Sequence, residues 1–318
     1  MLKLALAGLL SVAVACSAFP QTSPPASDVF PAWTAPSPRD KAKTPFDPKP
    51  TVGNNIFKGE AEGWLADAVV KLEAGYLTPI KDADVSIYVN AVGHNLLPYS
   101  RAVKKPFEFA VLCNEDEDAF SVGAGRIYIT LGMLESVASE DELAGILAHE
   151  IGHDAFFHGP KTVTRQLFWM TDVKKVTTPA DTETSLRDLL AAYQKNRFAA
   201  VGEALLGWSR NDEFQADKAA FYTIYKAGYN PEAMKSLFQR EVKKEKAELG
   251  DSYDDYQFMM LLFGNHPPSS LRGTAMDIES IWIKKSPKGE RYKSSAFDAM
   301  KVRISSIKCY DPRKAKAQ

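Results

Sequence analysis

The stretch LAHEIGHDAFFHG, residues 147–159, holds His149, His153 and His158, three of the five histidines in a chain of 318 residues. His149 and His153 stand four positions apart. On a helix they project from one face, one turn from each other. Two imidazole nitrogens so placed can reach a single metal ion at about 2.0–2.1 Å. Glu150 sits about 100° round the helix axis from His149. That offset is too wide for a third ligand, yet it brings a carboxylate within reach of a water on the metal. Two histidines on a surface helix with no metal are the alternative.

A catalytic zinc ion takes three protein ligands and keeps one position open. WSRNDEFQADKAAFYTIYKAGYNP, residues 208–231, offers a third. Ser209 and Asp212 suit a helix start, and Gly228 with Asn230-Pro231 suits its end. Glu213 lies sixty positions beyond His153, and Asp217 follows on the same face one turn later. A carboxylate ligand, with a second carboxylate behind it to orient an imidazole, completes a site of two histidines and one glutamate. An acidic pair on a solvated helix is the plainer alternative.

The histidines need a regular spiral to carry them. In SEDELAGILAHEIGH, residues 139–153, Ser139 and Glu142 form a capping box, so a helix starts near Glu140. Gly159-Pro160 predicts its end near His158. Helical spacing also marks residues 61–75 and 83–100, the second with Val85, Tyr88, Val92 and Leu96 on one face. His94 on that helix is a surface or packed residue. FEFAVLC (107–113) alternates as a strand, GRIYITLG (125–132) is a second, and NEDED (114–118) reads as a solvated acidic turn. The GAG before GRIYITLG lacks the third glycine and following helix of a phosphate loop. Residues 172–185 read as a mobile polar loop, or a lid between the ligand-bearing helices. The fold class is mainly α with a small β-sheet.

The ends differ in character. MLK followed by LALAGLLSVAVA is an export leader, residues 1–15. AVAC, residues 13–16, reads as a lipobox whose Cys16 would carry a lipid anchor and touch the membrane. Ordinary signal cleavage, leaving a soluble protein, is the alternative. Residues 16–55 are a proline-rich tether between anchor and body. The folded domain spans 56–283. Residues 284–318 form a basic extension, with eleven Lys or Arg against three acids, read as a solvated tail or a contact for anionic lipid or a partner. Cys113 and Cys309 could pair in an oxidising compartment or stay separate thiols. A net charge of −1 gives no electrostatic case for nucleic acid. Beyond the leader, no stretch reaches the 18–20 uninterrupted apolar residues of a membrane span; residues 188–208 come nearest but carry charges.

HExxH is the arrangement of zinc peptidases. ASEDELAGILAHEIGHDAFFHG, SRNDEFQAD and HPPSSLR together resemble the HtpX-type zinc metallopeptidases, a family that includes the CAAX prenyl proteases and soluble envelope proteases of Gram-negative bacteria. The resemblance covers roughly residues 60–283 and implies a zincin-like fold with one zinc ion per chain. It makes His149, His153 and Glu213 the metal ligands, Glu150 the catalytic glutamate and Asp217 a supporting carboxylate. It gives His158 a structural role. It also implies that His266, which opens HPPSSLR, faces the metal as a displaceable ligand or transition-state stabiliser with Arg272 beside it. In that reading both act in catalysis. Asp118 departs from the asparagine common in the family. The spanning helices of integral-membrane relatives and the helical repeats of some soluble ones are missing.

The implied activity is a zinc metalloendopeptidase of the cell envelope, periplasmic and tethered to the outer membrane. It would act on misfolded or misassembled envelope proteins, with GRIYIT as an edge strand for extended substrate. The alternative is a periplasmic chaperone or assembly factor with a structural or latent zinc site. The intact Glu150 favours the enzyme, because a structural site needs no general base.

Overall fold

A computed structural model describes residues 33–39, 44, 53–102, 105–195, 210–257, 267–283 and 294–309. The leader, Cys16, His266 and much of the basic extension lie outside these residues.

The body is mostly helical. Helices α1 (Glu60–Leu72) and α2 (Ala83–Leu96) precede a three-stranded sheet of β1 (Glu108–Leu112), β2 (Ala119–Gly123) and β3 (Arg126–Thr130). Then follow α3 (Leu131–Ser136), α4 (Glu140–Ala155), α5 (His158–Met170), α6 (Pro179–Lys195) and α7 (Arg210–Ala227). The chain continues through α8 (Glu232–Leu249), α9 (Ser269–Trp282) and α10 (Ser295–Ile304). No helix among the described residues is long and apolar enough to cross a membrane.

Strand order is β1-β3-β2, with β1 parallel and β2 antiparallel to β3. GRIYIT is therefore the central strand, not the edge expected from sequence. Its Ile127 and Ile129 enter the core between two partners. β2, which begins just after the segment read as an acidic turn, is an outer strand. Its residues are only half-buried until Gly123, so no clean alternation marks it.

α4 is the axis of the domain: all sixteen of its residues are buried. Ser139 caps it by accepting from the Glu142 N–H at 3.3 Å, and Glu142 reaches back to the Ala138 N–H at 2.8 Å. Leu143, Leu147 and Ile151 pack with α2 residues Val89, Val92 and Leu96 and α7 residues Phe221 and Ile224 in the main core. A second core joins Phe57, just before α1, to Leu65, Leu167, Leu186 and Leu189 from α1, α5 and α6. Gly152 lets α7 approach closely, since a Cβ there would stand 3.2 Å from the Ala216 Cα.

Two helix boundaries differ from expectation. α4 ends at Ala155, and Phe157, in the left-handed region at φ 58°, turns the chain into α5. Gly159-Pro160 sits in the first turn of α5, where proline's missing N–H has no helical partner to lose. The stretch 172–185 becomes helical from Pro179. The Asp181 N–H bonds Thr178 Oγ1 at 3.0 Å, while Asp181 Oδ2 accepts from the Thr177 N–H at 3.1 Å. This is a capping arrangement with proline in the first turn.

Cys113 and Cys309 form a disulfide with a Cα separation of 5.1 Å, joining the end of β1 to the segment after α10. Within the proline-rich stretch, residues 33–39 pack on the body. Trp33 Nε1 donates to Glu140 Oε1 at 2.9 Å, and Arg39 Nη1 donates to the carbonyls of Tyr225 and Tyr229 at 2.9 and 3.1 Å.

Candidate metal centre

The buried core face of α4 turns His149 and His153 toward the first two turns of α7. Their Nε2 atoms are 2.8 Å apart. Glu213, fully buried, places Oε2 at 3.7 Å from His149 Nε2 and Oε1 at 3.3 Å from His153 Nε2. One ligand atom from each residue falls within 4.8 Å of the others.

The far side of each imidazole is engaged. His149 Nδ1 lies 2.9 Å from Asp217 Oδ1, a close polar contact that falls short of a straight hydrogen bond. His153 Nδ1 meets His158 Nδ1 at 3.0 Å, and His158 Nε2 meets Gln215 Oε1 at 3.0 Å. Because the Gln215 oxygen only accepts, His158 carries its proton on Nε2 and His153 carries its own on Nδ1. Burial lowers the His158 pKa, in keeping with a neutral ring. This chain of protons leaves the His153 Nε2 lone pair facing His149 and Glu213.

Arg272 on α9 closes the far end. It donates Nε to Asp217 Oδ2 at 2.8 Å and Nη2 to Oδ1 at 2.6 Å, with its guanidinium 4.4 Å from the Phe238 ring centroid. Burial pushes the Asp217 carboxyl upward, but Arg272 and His149 outweigh it and hold it well below the usual carboxylate range.

Glu150 faces a different space. It lines a cleft of about 290 Å³ together with His149, Asp118, Ala119, Glu241 and Arg272. Burial, then Glu213 and Asp118, push its carboxyl well above the ordinary range; Arg272 and the Ser121 backbone N–H oppose this. Its Oε2 is buried without a hydrogen-bond partner. β2 is held against α4 by Asp154, whose Oδ2 accepts from the Gly125 N–H at 2.8 Å and Ser121 Oγ at 3.3 Å. Lys105 pairs with both Asp154 and Glu62, and Glu62 accepts from the Ala124 N–H at 2.9 Å.

A sequence model of peptidase family M48 matches residues 85–279, more than half of the chain. The chain belongs to peptidase family M48. It is 23% identical over 212 residues to the beta-barrel assembly-enhancing protease of Escherichia coli K12, covering 65% of this chain and 42% of that protein. The putative beta-barrel assembly-enhancing protease of Vibrio cholerae is 27% identical over 197 residues, 60% of this chain and 40% of its own length. Metalloprotease LoiP of Escherichia coli K12 is 22% identical over 169 residues, 52% of this chain and 62% of that protein. The chain thus spans about two fifths of the length of the first relatives.

M48 peptidases are zinc-dependent in general, and the donor set here fits zinc. Three corners of a tetrahedron with bonds of about 2.0–2.1 Å lie roughly 3.3 Å apart. The observed separations of 2.8, 3.3 and 3.7 Å bracket that value. The structure brings together His149, Glu150, His153, Glu213, Asp217 and Arg272; His266 falls outside the described residues. Sequence reading did not find the Arg272–Asp217 pair, the His158–Gln215 relay, the Ser121 N–H or the Lys105–Asp154–Glu62 clamp. Each joins positions far apart in the chain, and no local pattern announces them.

Proposed function

We propose that the chain is a zinc-dependent metalloendopeptidase of the bacterial cell envelope that hydrolyses peptide bonds in misfolded or misassembled proteins. The observation that carries the chemistry is the convergence of His149, His153 and Glu213 beside a cleft onto which Glu150 opens. The apolar leader and the names of the bacterial relatives support the location and the substrate class. Lipid attachment at Cys16 belongs to the same reading.

His149, His153 and Glu213 would hold zinc, which supplies Lewis acidity and lowers the pKa of water toward about 7. Asp217, fixed by Arg272, orients His149, and His158 fixes the tautomer of His153. Arg272 thereby positions Asp217, and it also lines the cleft beside Glu150. Glu150, whose carboxyl is pushed up by burial, receives a proton from the attacking water and delivers it to the leaving amine nitrogen. β2 presents an edge on the same cleft, so an extended segment can add to it by main-chain hydrogen bonds. Such recognition favours unfolded chains. His266 remains the candidate for a group facing the metal, by resemblance alone.

The test is degradation of casein by the mature protein. Cleavage should stop with a zinc chelator and return with zinc. Glu150→Gln should keep zinc and lose activity by at least about a hundredfold. Proteolysis by that variant at the wild-type rate would refute the role of Glu150. Client binding without any cleavage by the wild type would favour the chaperone.

A further inference from the structure

The cleft is acidic well beyond Glu150. Glu117 and Asp118 lie at the entry to β2, Glu241 and Glu245 lie one turn apart on α8, and all four line the cleft with Glu150. Two cations stand nearby: Arg272 lines the cleft and its charge acts on Glu241 without a direct ion pair, and Lys244 sits at the rim. Arg272 holds Asp217 through two hydrogen bonds. Lys244 pairs with Glu117 at 2.7 Å on the exposed rim. Glu241 accepts from Ser269 Oγ at 3.0 Å. Ser269 Oγ also lies 3.1 Å from Glu245 Oε1, so its single proton is shared between the two carboxylates, and Glu245 Oε2 accepts from Gln257 Nε2 at 3.0 Å. These donors are neutral. Among the described residues, neither glutamate is ion-paired with a Lys or Arg.

A second observation points to a ligand in this space. Glu150 lines the cleft, and its Oε2 is buried without a hydrogen-bond partner. Burial pushes the Glu241 carboxyl above its ordinary range, with Arg272 and Ser269 opposing. A desolvated carboxylate of this kind gains when a cation reaches it.

We propose that this cleft selects substrate segments with a lysine or arginine close to the scissile bond, the cation being received by Glu241 and Glu245 with Asp118 facing the same space. The inference rests on the peptidase reading and names the substrate class of the same site. Main-chain addition to β2 would supply sequence-tolerant binding, and the acidic wall would add a preference for positive side chains.

The experiment uses the full mature chain with zinc and short quenched-fluorescence peptides of one parent sequence. One position at a time is set to lysine, norleucine or glutamate. At the responsive position, kcat/KM for lysine should exceed that for norleucine by about tenfold, the ratio that about 1.4 kcal/mol gives. Glutamate should fall below norleucine. The lysine preference should shrink as salt rises from about 0.05 to about 0.5 M. In Glu241→Gln/Glu245→Gln, which keeps acceptors for Ser269, the lysine-to-norleucine ratio should fall to within about twofold of one. A wild-type ratio already near one, or a ratio that persists in the double variant, would overturn the proposal. Peptide anisotropy with the Glu150→Gln protein makes the comparison without turnover. If the wild type cleaved nothing, the peptidase reading would fail by itself. Tighter binding of lysine peptides would then still support the acidic selection, and equal binding would overturn it.

Discussion

Arg272→Met strikes the site at its densest charge contact. The guanidinium makes hydrogen bonds of 2.8 and 2.6 Å to Asp217, whose side chain is fully buried, and its Nη2 lies 4.0 Å from Glu213 Oε2. Methionine can keep much of the packing against Phe238 but leaves two buried carboxylates without that counter-charge. Breaking a buried pair from one side costs about 3–5 kcal/mol. At about 2–4 °C per kcal/mol for a domain of this size, Tm should fall by roughly 6–20 °C. The metal supplies a second readout. Asp217 released from Arg272 orients His149 less firmly, and zinc affinity should weaken by about 10–100-fold. Asp217→Asn alone strands the buried arginine, whereas Asp217→Asn/Arg272→Met removes both charges. The double variant should therefore recover part of the loss, with a coupling energy of about 1–3 kcal/mol. Urea unfolding of the four proteins in zinc-free buffer gives the cycle, and competition with a chromophoric chelator gives the affinities. Losses that add within about 0.5 kcal/mol, together with unchanged zinc affinity, would refute the argument.

The Cys113–Cys309 bridge spans 196 positions, so chain entropy assigns it about 5 kcal/mol. Cys309→Ser should melt at least about 10 °C lower, and reductant should lower the wild type alone. Glu241 gives a pH test with a definite sign. Its folded pKa is raised, so the fold favours the acid form, and the penalty grows as pH rises above the unfolded value of about 4.3. Glu241→Gln should raise Tm at pH 7.5, and the gain should vanish below about pH 4. Thermal melts at the two pH values check it, and an equal gain at both would contradict the electrostatic cause.

What could be read from the sequence was whatever is local. Ser139 and Glu142 mark the start of α4 to the residue, and the spacing of His149 and His153 places both rings on one face. Asp217 follows Glu213 by one turn, and both lie fully buried on α7. The errors arose where a local signal has two meanings. Gly159-Pro160 can end one helix or open the next, and the left-handed backbone at Phe157 decides for the second. Thr178 and Pro179 look like loop residues until Asp181 completes the cap. Which strand lies at the edge depends on β1 joining the far side of β3, and no run of residues encodes that choice. Arg272 and Asp217 stand 55 positions apart, so only the packing of α9 on α7 brings them together.

The central claim is that a carboxylate from α7 completes a metal site begun by two histidines of α4. Zinc analysis of the purified mature protein beside Glu213→Ala, after dialysis against a mild chelator, tests it most directly. About one zinc per wild-type chain, with the variant largely stripped, is the expected result. A Glu213→Ala protein that retained its zinc with wild-type affinity would contradict the account.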